Sequence, residues 1–257
     1  MSFEIPCRGN ERLKQLVERV NADPELLQMW KNANINAVDR CGISDHGEVH
    51  IRIVTHAALK ILRLLAAAGV KTNIVKDHGL TADDAEVIVV LAACLHDLGI
   101  SVHRDGHEQY SLWIAYPKSR QLLTGIYAEP ALTVMVTETL HAIVAHAAEE
   151  RCLTIEAGVL KVADATDMTH GRSRIPFQAG VVNIHSVSAQ AVNALKIEAG
   201  EKKPIRLAIT LGNSARIFQV DELLRDKLRN SSIGDLVEVA VLVEGETERR
   251  VITGYTF

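Results

Sequence analysis

The stretch Leu91-Ala92-Ala93-Cys94-Leu95-His96-Asp97-Leu98-Gly99 constrains this chain more than any other. Seven of its nine residues are apolar or glycine, and it closes an apolar run that begins at Val87. Such a run reads as a helix buried on all sides, so the rest of the chain has to wrap around it. His96 and Asp97 therefore enter the interior together. A buried carboxylate beside a buried imidazole costs about several kcal/mol unless something compensates. A divalent cation compensates both at once, because both are good ligands. The stretch predicts a metal centre whose other ligands lie elsewhere in the chain.

The surrounding pattern is helical. Thr81-Ala82-Asp83-Asp84 opens the central helix with a cap and acidic first-turn residues, and the helix runs to Leu98 with Gly99 as its stop. Residues 8–40 read as helices, with Leu13, Leu16, Val17 and Val20 on one face and Pro24 at the first position of the next helix. A long helix follows Gly47 and ends at Gly69, with Ile53, Val54, Ala57, Ala58, Ile61 and Leu65 recurring at three- and four-residue steps. His50 shares that apolar face, whereas His56 is about 240° round from it. Ser101 to Glu108 reads as a connector into a helix from Gln109 to Ala115. Glu129-Pro130 opens a helix carrying His141 and His146, which are about 140° apart, so only one should face a given site. Thr154 to Met168 is the next helix, with Leu160, Ala163, Asp164 and Asp167 facing the core.

The character changes after Arg174. Ala194–Glu198 and the alternating run Ile205–Leu211 read as paired strands across a turn, followed by a helix over Val220–Leu228. Val237–Val243 and Arg249–Thr253 read as a hairpin around Gly245. The expected fold class is mainly α: a helical bundle over residues 1–175, then a small α+β domain over 176–257.

Bulk properties exclude several classes. A hydrophobic content of 47% supports a sizeable core. A net charge of −4 and an aromatic content of 4% argue against nucleic-acid partners. The four cysteines form no Cys-x-x-Cys pair and read as reduced thiols. The N-terminal residues lack signal-peptide character, and the run Val87–Leu95 is shorter than the roughly 18 residues of a membrane span. The expected location is cytoplasmic, away from membranes.

The buried candidates on separate helices are His50, His96 with Asp97, His107, His141 or His146, and Asp164. Asp164 also lies three residues after Lys161, so a helix ion pair is an alternative for it. Imidazole and carboxylate donors suit Mn, Fe, Ni, Zn or Mg, and the absence of a cysteine ligand disfavours a structural zinc knot.

The order His50, His96-Asp97, Asp164, with Val162-Ala163-Asp164 as the last context, resembles the HD superfamily of metal-dependent phosphohydrolases. The resemblance covers roughly residues 45–170 and makes the helical part an HD-type bundle. It implies that His50, His96, Asp97 and Asp164 hold a first metal. It implies too that two-metal members add two histidines, here His107 and His146, with Asp97 as the bridge. One or two divalent ions per chain are therefore expected. The chain departs from many members in having Ile100 where a lysine follows the doublet. It also lacks the Gly-Tyr-Pro extension of cyclic-dinucleotide phosphodiesterases. Ser44-Asp45-His46-Gly47 and Gly171-Arg172-Ser173-Arg174-Ile175-Pro176-Phe177 look like an uncharacterised prokaryotic HD subfamily.

The expected function is hydrolysis of a phosphate ester, as a phosphomonoesterase or phosphodiesterase, on a nucleotide or related small metabolite. Metal-bound hydroxide is the expected nucleophile. Asp97 is the expected catalytic ligand, with His103 or His141 as general acid. Arg104, Lys161, Arg172 and Arg174 are the expected phosphate binders. A di-iron oxygenase and a non-catalytic nucleotide sensor are the alternatives. The strand edges of the C-terminal part suggest a homodimer or another homo-oligomer.

Overall fold

Local sequence sets the first two helices. In the computed structural model, which describes residues 3–168, 192–212 and 224–243, Asn10 caps α1 (Glu11–Asn21) by accepting the Leu13 N–H. Asp23 does the same for α2 (Pro24–Asn34) through Leu26, with Pro24 in the first turn. Each helix buries one stripe: Leu13, Leu16, Val17 and Val20 in α1, and Leu26, Trp30 and Ala33 in α2. A wide helical turn over Ile35–Arg40 carries the chain to the long α3 (Glu48–Ala67). In α3 Val54, Ala57, Ala58, Ile61 and Leu65 are buried as their spacing predicts, but Ile53 is 40% exposed at the edge of the stripe.

The apolar run becomes the centre of the bundle. After a short α4 (Asn73–His78), helix α5 (Ala82–Leu95) starts at a capping box between Thr81 and Asp84. Every residue from Val87 to Leu95 is buried, because α1, α3, α7 and α8 pack around the helix. The helix ends three residues earlier than its apolar run suggests. The indole N–H of Trp30 donates to the Cys94 carbonyl at 2.8 Å, satisfying an acceptor that the helix end leaves unpaired. A 3-10 turn over Leu98–Ser101 follows. Helix α6 (His107–Leu123) begins two residues before the expected Gln109 and runs well past Ala115, so His107 belongs to its first turn. Helices α7 (Ala131–Val144) and α8 (Ile155–Ala165) close the bundle, the latter capped by Thr154.

Three strands follow among the described residues. β1 (Val192–Ala199) and β2 (Ile205–Leu211) pair antiparallel, with Ile197 opposite Leu207, as expected. β3 (Val237–Val243) lies parallel to β2, with Ile205 opposite Val237. The expected partner strand Arg249–Thr253 lies outside the described residues. Alternate residues of β2 (Ile205, Leu207, Ile209 and Leu211) are buried in the same apolar cluster as the helices, and α3 touches β1 and β2. Residues 224–229 are helical, and Leu224 and Leu228 join that cluster. The architecture is mainly α with a small C-terminal sheet.

Candidate metal centre

Four helix ends converge beside the end of α5. His50 occupies the first turn of α3, where the Asp45 carboxylate accepts the N–H groups of Gly47 and His50, each at 3.2 Å. His96 and Asp97 leave the end of α5. Ser111 of α6 fixes their turn: its hydroxyl accepts the Gly99 N–H at 2.8 Å and donates to the His96 carbonyl at 2.6 Å. Gly99 permits this approach, since a Cβ there would lie 1.9 Å from the His107 carbonyl oxygen. His107 opens α6 after Gly106 in the left-handed conformation (φ 71°). His146 follows the end of α7, and Asp164 sits in the last turn of α8. All six side chains belong to buried residues.

The ring orientations share one pattern. Nδ1 of His96 meets the Ala93 carbonyl at 2.9 Å, and Nδ1 of His146 meets the Ile143 carbonyl at 2.5 Å. Nδ1 of His50 meets the Asp167 carboxylate at 2.7 Å. These partners only accept, so each Nδ1 carries a proton and each Nε2 faces inward. His107 is held more loosely. Its Nδ1 lies 3.1 Å from the Arg104 carbonyl but also 2.9 Å from the Arg104 guanidinium.

The inward nitrogens divide between the two oxygens of Asp97. Oδ2 is 3.2 Å from Nε2 of His50 and 3.2 Å from Nε2 of His96. Oδ1 is 3.2 Å from Nε2 of His107 and 3.7 Å from Nε2 of His146. Asp164 joins the first pair, with Oδ1 3.4 Å from His50 and 3.9 Å from His96. The result is two groups able to hold a metal ion, His50–His96–Asp97 and Asp97–His107–His146, sharing one carboxylate. The donor chemistry fits divalent cations. Nε2 of His50 and Nε2 of His96 are 3.3 Å apart, a separation that two lone pairs or two N–H groups tolerate poorly and a cation between them relieves.

The electrostatics follow from burial and neighbours. Burial pushes the Asp97 carboxyl upward, but the imidazoles around it, His96 first and then His107 and His50, hold it well below its usual range. Burial pushes His146 down to about 3, helped by His96, so this ring stays neutral and able to ligate. His107 moves the other way: burial lowers it, but its bond to Asp97 raises it further. His107 therefore holds its second proton to higher pH than His146 does, and a cation entering the second group competes with that proton.

No family model matches the chain, and no solved structure matches it. Over 233 residues it is 42% identical to the uncharacterized protein MJ1020 of Methanocaldococcus jannaschii, covering 91% of this chain and 90% of that protein. The chain belongs to the MJ1020 family. A match of that length takes in the whole span from His50 to Asp164 and reaches the strands.

The remaining expected site residues of this MJ1020-family chain are placed as follows. His103 is exposed, and among the described residues its ring hydrogen-bonds only with the backbone of Asp105. His141 lies on α7, accepts the Leu153 N–H at 3.0 Å and joins neither ligand group, whereas His146 sits past the helix end and not on the same helix as expected, so the 140° spacing does not relate the two. Lys161 touches neither ligand group in the contacts of the described residues. It is fully buried, its amine donates to the Glu150 carbonyl, and burial lowers its pKa. It is neither a phosphate binder here nor the partner of Asp164. Arg104 lies beside His107, at the rim of the second group. Arg172 and Arg174 lie outside the described residues. Ile100 is buried against Ala33 and Ala37 and brings no charge.

Three contributors were missed by the sequence or left without a defined role. Ser111 carries no motif and is known only from its contacts. Asp167 was legible as a core-facing residue that supports the ligands or lies on the helix surface, and the structure puts its carboxylate on Nδ1 of His50. His46 is buried with its ring 5.3 Å from that of His50, an adjacency hinted at by its place one turn before His50. Among the described residues no helix is long and apolar enough to cross a membrane.

Proposed function

We propose that this chain is a metal-dependent phosphohydrolase acting on a phosphate ester of a nucleotide or related small metabolite. One observation carries the reading: four imidazole Nε2 atoms converge on the two oxygens of a single carboxylate, two to each. His50, His96, Asp97 and Asp164 would hold one cation, and Asp97, His107 and His146 a second. The imidazole-rich set favours Mn, Fe, Ni or Zn over Mg, which keeps to oxygen. Lewis acidity toward a phosphoryl oxygen, and a water made acidic near neutral pH, are what such cations supply when bound.

The chain's own groups do the rest. Asp97 stays ionised and offers one oxygen to each ligand group. Asp167 and the carbonyls of Ala93 and Ile143 keep three rings in the ligating tautomer. The Arg104 guanidinium, half-buried beside His107, stands ready for a phosphate oxygen. Neither His103 nor His141 is the general acid in this reading, because neither joins the cluster.

The test is a panel of phosphomonoesters and phosphodiesters, assayed with protein loaded with Mn, Fe, Ni, Zn or Mg. Phosphate release with at least one metal, lost in Asp97→Ala, is the expected result. No release from any substrate with any metal would remove the proposal. Oxygen consumption by iron-loaded protein would favour oxidative chemistry at the same ligands instead.

A further inference from the structure

The sheet-bearing C-terminal part sends one charged side chain into this centre. Lys227 lies in the helical turn over residues 224–229, anchored by the buried Leu224 and Leu228. Its Nζ donates to Oδ2 of Asp164, while Oδ1 of the same carboxylate faces His50 at 3.4 Å and His96 at 3.9 Å. The two oxygens of Asp164 thus have two directions, one toward the ligand group and one toward the lysine. The segment that carries Lys227 is docked firmly on α8 and the loop before it. Asn230 donates to the Ala148 carbonyl at 2.8 Å and its own carbonyl accepts the Cys152 N–H at 2.9 Å. Ser232 donates to the Thr154 carbonyl at 2.6 Å. Gly158 leaves room for this contact, since a Cβ there would come within 2.3 Å of the Ser232 hydroxyl.

We propose that Lys227 is a phosphate-binding residue of the site, contributed by the C-terminal part, which grips the anion on the Asp164 side of the cluster. The inference rests on the phosphohydrolase reading. Its side chain remains 20% exposed and that of Asp164 10%, so the pair lies at a margin open to solvent. The carboxylate needs this lysine least when a cation occupies its ligand group. Loading that group reduces the negative charge holding the ammonium and leaves it able to reach a phosphate oxygen. Arg104 stands beside His107 in the other ligand group, so each ligand group has one cationic side chain on one of its residues. Lys161, the lysine nearest in sequence, cannot serve, because its amine is buried on the Glu150 carbonyl.

The experiment compares full-length wild type, Lys227→Gln and Lys227→Arg, each loaded with Mn2+, by calorimetric titration with inorganic phosphate. Separate titrations of the metal-free proteins with Mn2+ accompany it. Lys227→Gln should weaken phosphate binding by roughly tenfold, the worth of one charge-assisted hydrogen bond. Lys227→Arg should stay within about threefold of wild type. Mn2+ should bind Lys227→Gln at least as tightly as wild type, since a competing cation has been removed. Unchanged phosphate affinity in Lys227→Gln, or no phosphate binding by the wild type, would overturn the proposal. So would loss of Mn2+ affinity in Lys227→Gln, because the lysine would then only hold Asp164 in place. Phosphate binding is read without turnover, so a substrate panel that fails while phosphate still depends on Lys227 removes only the hydrolase reading.

Discussion

Gly99→Ala should separate the two ligand groups. A methyl group at this position would sit 1.9 Å from the His107 carbonyl oxygen, 2.6 Å from the Ser111 nitrogen and 2.8 Å from the His107 carbonyl carbon. All three are backbone atoms, so no side chain can swing aside. Ordinary contact starts at 3.4 Å, so the first turn of α6 has to retreat by about 1.5 Å. The retreat falls on α6 because the other side of the turn is held by the α5 core and by Trp30 on the Cys94 carbonyl. Overpacking of this kind costs about 1–3 kcal/mol. For a chain of this size that lowers the melting temperature by about 2–12 °C. The consequence for the site is larger, since ligand distances tolerate only about 0.2 Å. His107 should leave the second group and Ser111 should loosen its hold on the His96–Asp97 turn, while His50 on α3 and Asp164 on α8 keep their places. Metal analysis by mass spectrometry, with a thermal melt on the same sample, reads both effects. The expected result is loss of about one metal equivalent per chain and a lower melting temperature. A Gly99→Ala protein with wild-type metal content and stability would refute the packing argument.

Other perturbations test separate parts of the account. Asp167→Ala removes the acceptor that fixes the His50 tautomer, and should weaken metal binding by about 10–100-fold without removing a ligand, as calorimetry can read. His103→Ala and His141→Ala should each leave metal content unchanged and any phosphatase activity within about threefold, because neither ring joins the cluster. Asp84 gives a pH dependence. Burial raises its carboxyl, but bonds from Tyr127, Thr81 and Arg12 outweigh that and hold it below 3.8 when folded. A depressed folded-state value gives stability that is fully present above the unfolded value and lost as pH falls through the folded one. The stability gap between wild type and Asp84→Asn should therefore be widest near neutrality and shrink below pH 3.8, as denaturant melts across that range would show.

The parts legible in the sequence were those set by short-range periodicity. The apolar run from Val87 had to be the central helix. The three- and four-residue steps put His50 on a buried face, whereas the expected 140° spacing of His141 and His146 does not hold because His146 lies beyond the end of α7. What was hidden depended on where chain segments meet. His107 read as part of a connector because nothing local shows that Gly106 turns left-handed and starts α6. Lys161 read as a phosphate ligand because its spacing puts it beside Asp164. Its long side chain reaches a backbone carbonyl instead. Lys227 lies 63 residues from Asp164, and β3 joins β2 in parallel across an intervening segment, so neither contact has a local signature.

Metal content of protein purified without chelator, compared between wild type and Asp97→Ala, tests the central claim most directly. Because one carboxylate serves both ligand groups, wild type should carry up to two divalent ions per chain. Asp97→Ala should carry close to none while keeping its helical circular dichroism. Wild-type metal content in a folded Asp97→Ala protein, or a wild type that takes up no Mn, Fe, Ni or Zn when these are offered, would contradict it.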